Sequence, residues 1–417
     1  MSFKKNNKYY KWEVLALLWI AFFLNQADRQ VFNVVLPLIQ EDLQMTDAEM
    51  GMIASAFILT LAVCVPFAGI IGDLYSRKWI TTITVLFWSL ATVLTGVSTT
   101  PVHLVLFRSV ATGGGEAFFA PANYALISQY HKKSRSLALS IHQTSLYAGV
   151  VLSGFLAAYI GEIWGWRASF YVFGAAGIVL GLIMIVRLKD KREVIDSQIV
   201  NSVPKKVNFF KIMALMIKRP TFLLLTLAFA GMVFVNIGYL TWMPTFLYEK
   251  FEMPLSQAGF AAMFFMHGFA FVGVLIGGRL SDRFVIKNKN IRLWLQIIGM
   301  LFGAPFIVLM GLGTTTTIVF LGLAGFGFFR GLYDANIYAS LYDVIEPEYR
   351  STASGIMIMF AFITGAASPM LLGILKPTVG LTNSIAFLSI LACFSAICIY
   401  IAMKFYFKKD YYNGPEY

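Results

Sequence analysis

The chain is 417 residues long, 58% of them hydrophobic and only 13% charged, with a formal net charge of +12 and a mean hydropathy of +0.72. A soluble domain carries about 25% charged residues, so a soluble enzyme and a disordered chain are both excluded. The apolar residues run in long blocks without strict alternation, which speaks against a transmembrane barrel and leaves membrane-spanning helices.

A crossing needs about 20 apolar residues. Twelve runs meet that length, at 13–38, 50–72, 79–99, 102–129, 136–161, 167–187, 221–247, 256–279, 292–311, 315–341, 351–375 and 380–404. The first follows basic residues, as a secretion signal would. It continues through Asp28 and Arg29 to Ile39 with no small-residue cleavage site, and so reads as a span. From Leu293 to Phe329 there is no charge, but Gly311, Gly313 and a run of threonines break the stretch into two helices and a tight turn. Cys64, Cys393 and Cys398 each lie in an apolar run, which predicts neither a disulfide framework nor a metal site.

Of the 33 Lys and Arg, 27 fall on one side of this arrangement, while Arg167, Lys250 and Lys376 fall on the other and Arg29, Arg108 and Arg330 lie within spans. Cytoplasmic loops retain basic residues, so both termini are expected to be cytoplasmic. That rule, together with anionic inner-leaflet lipid, accounts for the net charge without a nucleic-acid partner. The polar segment 189–220 predicts a cytoplasmic linker between an N-terminal six-helix bundle, 1–188, and a C-terminal one, 221–417. Within the linker, Phe209 to Ile217 reads as a short amphipathic helix on the inner membrane surface. Internal repetition supports the division. Gly69-Ile-Ile-Gly-Asp73 recurs as Gly278-Arg-Leu-Ser-Asp282 at an offset of 209, and Arg135-Ser-Leu-Ala as Arg350-Ser-Thr-Ala at an offset of 215. Each offset is about half the chain, and the repeats run parallel.

The pattern Gly69-x-x-x-Asp73-x-x-x-Arg77-Lys78 resembles the loop signature of the major facilitator superfamily, with departures at Leu74 and Ser76. The resemblance covers the whole chain. It implies an all-α membrane fold of twelve transmembrane helices in two pseudo-symmetric bundles. It also implies a gating role for Gly69, Asp73, Arg77, Lys78 and Arg135, and for the degenerate second copy with Asp282, Arg283 and Arg350. A glycine there lets two helices approach, and Asp73 is suited to cap a helix start or pair with Arg135, latching the cytoplasmic side.

An ionisable group near the bilayer centre costs at least about 2.5 kcal/mol on insertion scales. Asp28 and Arg29 in span 1, Arg108 and Glu116 in span 4, and Arg330 and Asp334 in span 10 are such groups, with His142 and His267. Helical spacing puts Asn25, Arg29 and Asn33 on one stripe with Asp28 turned about 100° away, and gives Arg108, Thr112 and Glu116 a second, drifting stripe. Gly113, Gly114 and Gly115 are expected to admit a neighbouring helix. Asn25-Gln-Ala-Asp28-Arg29, Arg108 with Gly-Gly-Glu116-Ala, and Tyr239-x-x-Trp242-x-Pro244 resemble the organic anion:cation symporter branch and the bacterial Spinster-like transporters. In that group the Asp-Arg pair and the span 4 Arg and Glu are implicated in proton coupling and anion binding. Here Arg108 precedes Glu116 by eight residues, whereas the family pattern has seven.

Asp28 and Glu116 are therefore candidate proton carriers, the alternative being a permanent ion pair such as Asp28 with Arg108. Arg29, Arg108 and Arg330 suit bidentate recognition of a carboxylate, phosphate or sulfate, although Arg330 and Asp334, one turn apart, equally well neutralise each other. The intramembrane arginines and carboxylates balance, so protonation makes the cavity cationic and favours an anion travelling with protons. Asn33, Gln143, Tyr147, Asn236, Tyr239, Tyr333 and Asn336 are candidates for hydrogen bonds to sugar hydroxyls or for helix-to-helix bonds. His142 and His267 read as hydrogen-bonded packing residues. No phosphate-binding Gly-x-x-x-x-Gly-Lys motif, metal motif or cofactor motif occurs, and the Gly322, Gly325, Gly327 series reads as helix packing.

The reading that follows is a proton-coupled symporter of an organic anion, by resemblance a sugar acid such as a uronate, aldonate or sialate, working by alternating access in a bacterial inner membrane. The alternative is a Spinster-like carrier of lysophospholipid, with a lateral opening lined by Phe118, Phe119, Phe264 and Phe265. Expected partners are the anionic substrate, protons and membrane lipids; the chain is expected to act as a monomer.

Overall fold

The computed structural model describes residues 9–131, 134–189, 213 and 216–412, and these contain helices and turns but no strand. The linker expected at 189–220, with its amphipathic helix at 209–217, falls almost wholly outside the described residues. Contacts divide the chain into two compact units. One comprises Met1–Thr46, Ala56–Val194 and Pro254–Phe260, the other Asp47–Ser55, Ile195–Met253 and Ala261–Tyr417.

The first unit is built from α1 (Tyr10–Asp42), most of α2 (Asp47–Leu74), α3 (Arg77–Gly96), α4 (Pro101–Leu104), a π-helical stretch (Val105–Thr112), α5 (Gly113–Ala117), α6 (Phe119–Tyr130), α7 (Arg135–Trp164) and α8 (Trp166–Arg187). Local chemistry fixes several starts. Ser76, a departure from the loop signature, accepts the amide N–H of Trp79 and caps α3. Thr100 caps α4, with Pro101 in the first turn where its missing N–H costs nothing. α1 packs on α7 and α8, and α3 lies along α8. Lipid removes the hydrophobic drive between helices, so close backbone approach supplies the contact. On α8 this falls to Gly174 and Gly177, since a Cβ at Gly174 would stand 2.8 Å from the Ser89 carbonyl oxygen.

The second unit contains α9 (Pro220–Phe251), most of α10 (Leu255–Phe284), α11 (Ile291–Leu312), α12 (Thr316–Asp334), α13 (Ile337–Tyr342) and α14 (Arg350–Ile401), followed by a π turn (Ala402–Tyr406) and α15 (Phe407–Asp410). α14 packs against both α9 and α11, and α11 against α12. The sequence reading of 315–341 as one helix needs correction. The helix stops at Asp334 and restarts at Ile337, and the Asn336 side-chain amide donates back to the Leu332 carbonyl at 3.0 Å. Inside α14 the backbone breaks at Gly380, with φ 77° and ψ 156°. Just before that break, Lys376 reaches Asp47 at 2.8 Å and Glu249 at 2.7 Å.

Gly380 sits in a region of backbone space open essentially to glycine alone. Gly380→Ala is expected to destabilise by about 1–3 kcal/mol. At Gly355 an added Cβ would also meet nothing within 4 Å, but the backbone there has an ordinary helical φ, so alanine should be accepted with a gain of about 0.4–1 kcal/mol. Thermal unfolding of the two variants in detergent, compared with wild type, measures the contrast.

Among the described residues, nine helices are long and apolar enough to cross a membrane. α1 is not in that set, since Asn25, Gln26, Asp28, Arg29 and Gln30 crowd its middle. Residues 101–130 are not in it either, because the π stretch divides them into short segments.

Candidate functional site

The first unit gathers Asp28 and Arg29 from α1 with Arg108 and Glu116 from the segments after α3. Glu116 is 1% exposed, and its Oε2 accepts from Arg29 Nε at 2.6 Å. The Arg29 side chain keeps 29% of its surface open while that of Glu116 has none. Arg108 does not pair with Glu116 directly. Its Nη2 donates to the Arg29 carbonyl at 3.2 Å, and its guanidinium lies 3.9 Å over the Phe57 ring and 5.5 Å over Phe32. Nε and Nη1 of Arg108 have no protein partner. Asp28 is 3% exposed. It accepts from the Thr92 hydroxyl at 3.1 Å through Oδ2, and its Oδ1 has no partner. The permanent Asp28–Arg108 ion pair weighed from the sequence is therefore absent, because Arg108 is turned onto the α1 backbone and the phenylalanine rings. The four groups remain electrostatic neighbours, with the fields of Glu116 and Asp28 both acting on Arg108.

The π stretch explains the eight-residue spacing. On a straight α-helix eight residues turn two side chains about 80° apart. The wider i→i+5 turn absorbs the extra residue; it is visible in the Thr112 hydroxyl, which donates to the Phe107 carbonyl five residues back at 2.9 Å. Such bulges concentrate at functional sites. Gly113 and Gly115 hold the next turn close to its neighbours: a Cβ would stand 3.1 Å from the Phe57 carbonyl oxygen and 2.7 Å from the Phe87 ring, respectively. Gly114 has room, its nearest neighbour being Thr60 at 3.9 Å.

Deleting Val110, which is 49% exposed, should turn the bulge into regular α-helix with Arg108 and Glu116 about 20° apart, leaving a folded protein. Deleting Ile83 from α3 should instead rotate Trp88 and Thr92 out of the core and abolish folding. Size-exclusion profiles and thermal melts of the two deletions check this. Equal damage from both would show that the π turn does not absorb the extra residue.

The other candidate residues of this unit are more dispersed. Asn33 donates to Gln30 at 3.3 Å. Gln143 is exposed and accepts from Tyr124 at 3.4 Å, and Tyr147 is half-buried. His142 is wholly buried, stacked on Phe22 at 4.7 Å between centroids and 2.8 Å from the Asn123 amide. Lys78 donates to the Ile185 carbonyl at 3.0 Å and lies over Trp79, and Arg77 is half-buried. Gly69 lies within α2, whereas the side chains of Asp73 and Arg135 fall outside what the structure describes, so the expected latch between them is not described.

In the second unit Arg330 donates to Asn236 Oδ1 at 2.6 Å and stands 3.2 Å from Asp334 Oδ2. This guanidinium thus has both an amide and a carboxylate at hand. Tyr239 is wholly buried and donates its hydroxyl to the Ala262 carbonyl. Asn336 is wholly buried at the helix break, and Tyr333 is 1% exposed. Trp242 donates to the Pro369 carbonyl at 3.0 Å, and His267 bonds the Met263 carbonyl at 3.1 Å. Asp282 and Arg283 are exposed at the end of α10. Arg350 donates to the Ile345 and Tyr342 carbonyls at 3.3 and 3.1 Å, closing the end of α13. Of the four phenylalanines expected to line a lateral opening, Phe119 is wholly buried against Phe22 and Trp88, and Phe265 stacks on Phe320. Two residues of the site escaped sequence reasoning, Thr92 beneath Asp28 and Phe57 beneath Arg108. Both are uncharged residues in apolar runs and gave no signal.

The first unit thus sets a half-buried arginine on a wholly buried carboxylate inside a helical membrane protein. The profile of the Major Facilitator Superfamily matches residues 18–369, and the chain belongs to that superfamily. It is similar to protein spinster homolog 1 of Xenopus tropicalis, at 27% identity covering 87% of this chain and 72% of the relative. It is also similar to the hexuronate transporter of Bacillus subtilis, at 24% identity covering 93% and 94%. Among solved structures, a bacterial homolog of the human lysosomal transporter Spinster, inward-facing and unoccupied, superposes with a TM-score of 0.84 at 22% identity, covering 98% of this chain and all of the other. That likeness establishes the fold. The chain is an integral membrane transporter.

Proposed function

We propose that the protein is a proton-coupled symporter of an organic anion, by alternating access of two six-helix bundles, 1–188 and 221–417, that together cross the membrane twelve times. Both termini and the 189–220 linker face the cytoplasm of a bacterial inner membrane, and the chain works as a monomer. The observation that carries this reading is the contact of half-buried Arg29 with wholly buried Glu116 at 2.6 Å. While Glu116 is ionised it occupies Arg29. A proton on Glu116 frees that guanidinium for the carboxylate of a substrate, and Arg108 presents two further unpartnered N–H donors. Proton and anion thus favour each other's binding, and the coupling is reciprocal. Asp28 is the second proton site. Arg330, Asn236 and Asp334 form the substrate contact in the other bundle, with Asn33, Gln143 and Tyr147 toward sugar hydroxyls. Tyr239 and Asn336, whose polar groups bond backbone carbonyls, serve helix packing. Gating falls to Asp73, Arg77, Lys78 and Arg135, with Asp282, Arg283 and Arg350 in the second copy.

The hexuronate relative supports a sugar acid as the anion. The Spinster relative supports a second reading, an amphiphile whose phosphate would use the same arginines. Uptake of labelled sugar acids and lysophospholipids into proteoliposomes, with and without an inward proton gradient, separates them. Gradient-dependent sugar-acid uptake supports the symporter. Movement of lysophospholipid alone, or indifference to the gradient, rejects it.

A further inference from the structure

The second unit contains a cavity of about 800 Å³ between the turn after α10 and the end of the last helix, within the range of about 300–1,000 Å³ usual for ligand sites. It shares no residue with either charge cluster. Lys287 and Lys289 line it from the turn, Lys404 and Lys408 from the chain's C-terminal helices, and among the described residues no carboxylate does. Among the described residues none of these lysines makes an ion pair, whereas Arg292 nearby is engaged by Asp343 at 2.5 Å. Two of them stand against aromatic faces instead: Lys289 Nζ is 4.2 Å over Tyr411, and Lys404 Nζ 5.6 Å over Tyr400. The walls are fastened. The Tyr412 amide donates to the Asp343 carbonyl at 2.8 Å, and Asn290 N–H to Asn288 Oδ1 at 2.9 Å. Next in sequence to two of these lysines, Ile286 is 90% and Phe405 56% exposed.

We infer that this cavity binds the phosphate of an anionic phospholipid. Four ammonium groups without a carboxylate partner among the described residues favour an anion. Basic clusters at the cytoplasmic ends of membrane helices meet anionic headgroups in the inner leaflet. The Trp294, Met403 and Phe407 lining, with Ile286 and Phe405 exposed beside the lysines in sequence, suits acyl chains and not a soluble ion, and aromatic side chains belong at the headgroup level. The placement rests on the cytoplasmic assignment of this end. The test does not, since a micelle presents lipid to both ends, so its failure leaves the transport reading standing.

The test titrates phosphatidylglycerol, phosphatidylcholine and inorganic phosphate separately into the purified full-length protein in neutral detergent, read by thermal stabilisation and by lipid retention in native mass spectrometry. Wild type should retain phosphatidylglycerol and be stabilised by it but not by phosphatidylcholine. Each lysine is worth about five-fold in affinity, about 1 kcal/mol. The Lys289→Gln/Lys404→Gln variant should therefore bind about 25-fold more weakly, and Lys289→Arg/Lys404→Arg should restore binding. Phosphatidylglycerol affinity unchanged in the Gln variant overturns the inference. So does equal stabilisation by inorganic phosphate at matched concentration, which would mark a small-anion site. A Gln variant that fails to fold leaves the decision to the Arg variant and to the lipid-against-phosphate comparison on wild type.

Discussion

The Glu116→Gln variant is expected to lose gradient-driven accumulation while substrate exchange across the membrane continues. Glutamine keeps the size of the side chain and an oxygen to accept from Arg29 Nε, now 2.6 Å from Oε2, so the fold should persist. What it removes is the exchangeable proton. If one proton travels with a monovalent anion, the couple is electroneutral and only the pH difference drives it. Each pH unit is then worth about 1.4 kcal/mol, or about ten-fold accumulation. Wild-type proteoliposomes with the interior one unit more alkaline should concentrate substrate about ten-fold, and the variant should stop at equal concentrations. Counterflow, which needs no net proton movement, should survive at a rate near wild type. Residual accumulation in the variant would transfer the coupled proton to Asp28, and the corresponding Asp28→Asn measurement would show it directly.

Removing the fork of Arg108 should have the second large effect. The residue is 4% exposed, held among the described residues by one hydrogen bond to the Arg29 carbonyl and by the Phe57 face, with Nε and Nη1 unpartnered. Hydrogen bonds to charged groups are worth about 1.5–3 kcal/mol each. Arg108→Ala forfeits two toward a substrate carboxylate, which predicts at least a hundred-fold loss in uptake efficiency, on the order of 3 kcal/mol or more. Arg108→Lys keeps the charge but offers a point donor in place of a planar fork, so about ten-fold is expected. The loss should appear in KM for the anion, with exchange at saturating substrate largely kept for the lysine variant. A lysine variant with wild-type KM would show that the fork does not hold the anion.

The amino-acid sequence by itself determined that this chain is a bundle of membrane helices, where most of those helices begin and end to within a few residues, and which side chains are misplaced charges. Those properties are local: hydrophobicity accumulates along a run, caps such as Ser76 and Thr100 act within one turn, and a lone arginine among apolar residues is conspicuous wherever the helix packs. The spacing of Arg108 and Glu116 even announced an irregularity. Only tertiary structure decided how it is resolved, because a π turn and an extra α turn have the same residues and differ in what the neighbouring helices allow. Tertiary structure also gave Glu116 to Arg29, turned Arg108 onto Phe57, set Asp28 on Thr92, and committed the Tyr239 hydroxyl to the Ala262 carbonyl. Each of these contacts joins different helices or distant turns, and its partner is chosen by helix rotation and register. Periodicity along one helix specifies a face, whereas the group that meets that face depends on how closely the backbones approach, as at Gly113 and Gly115.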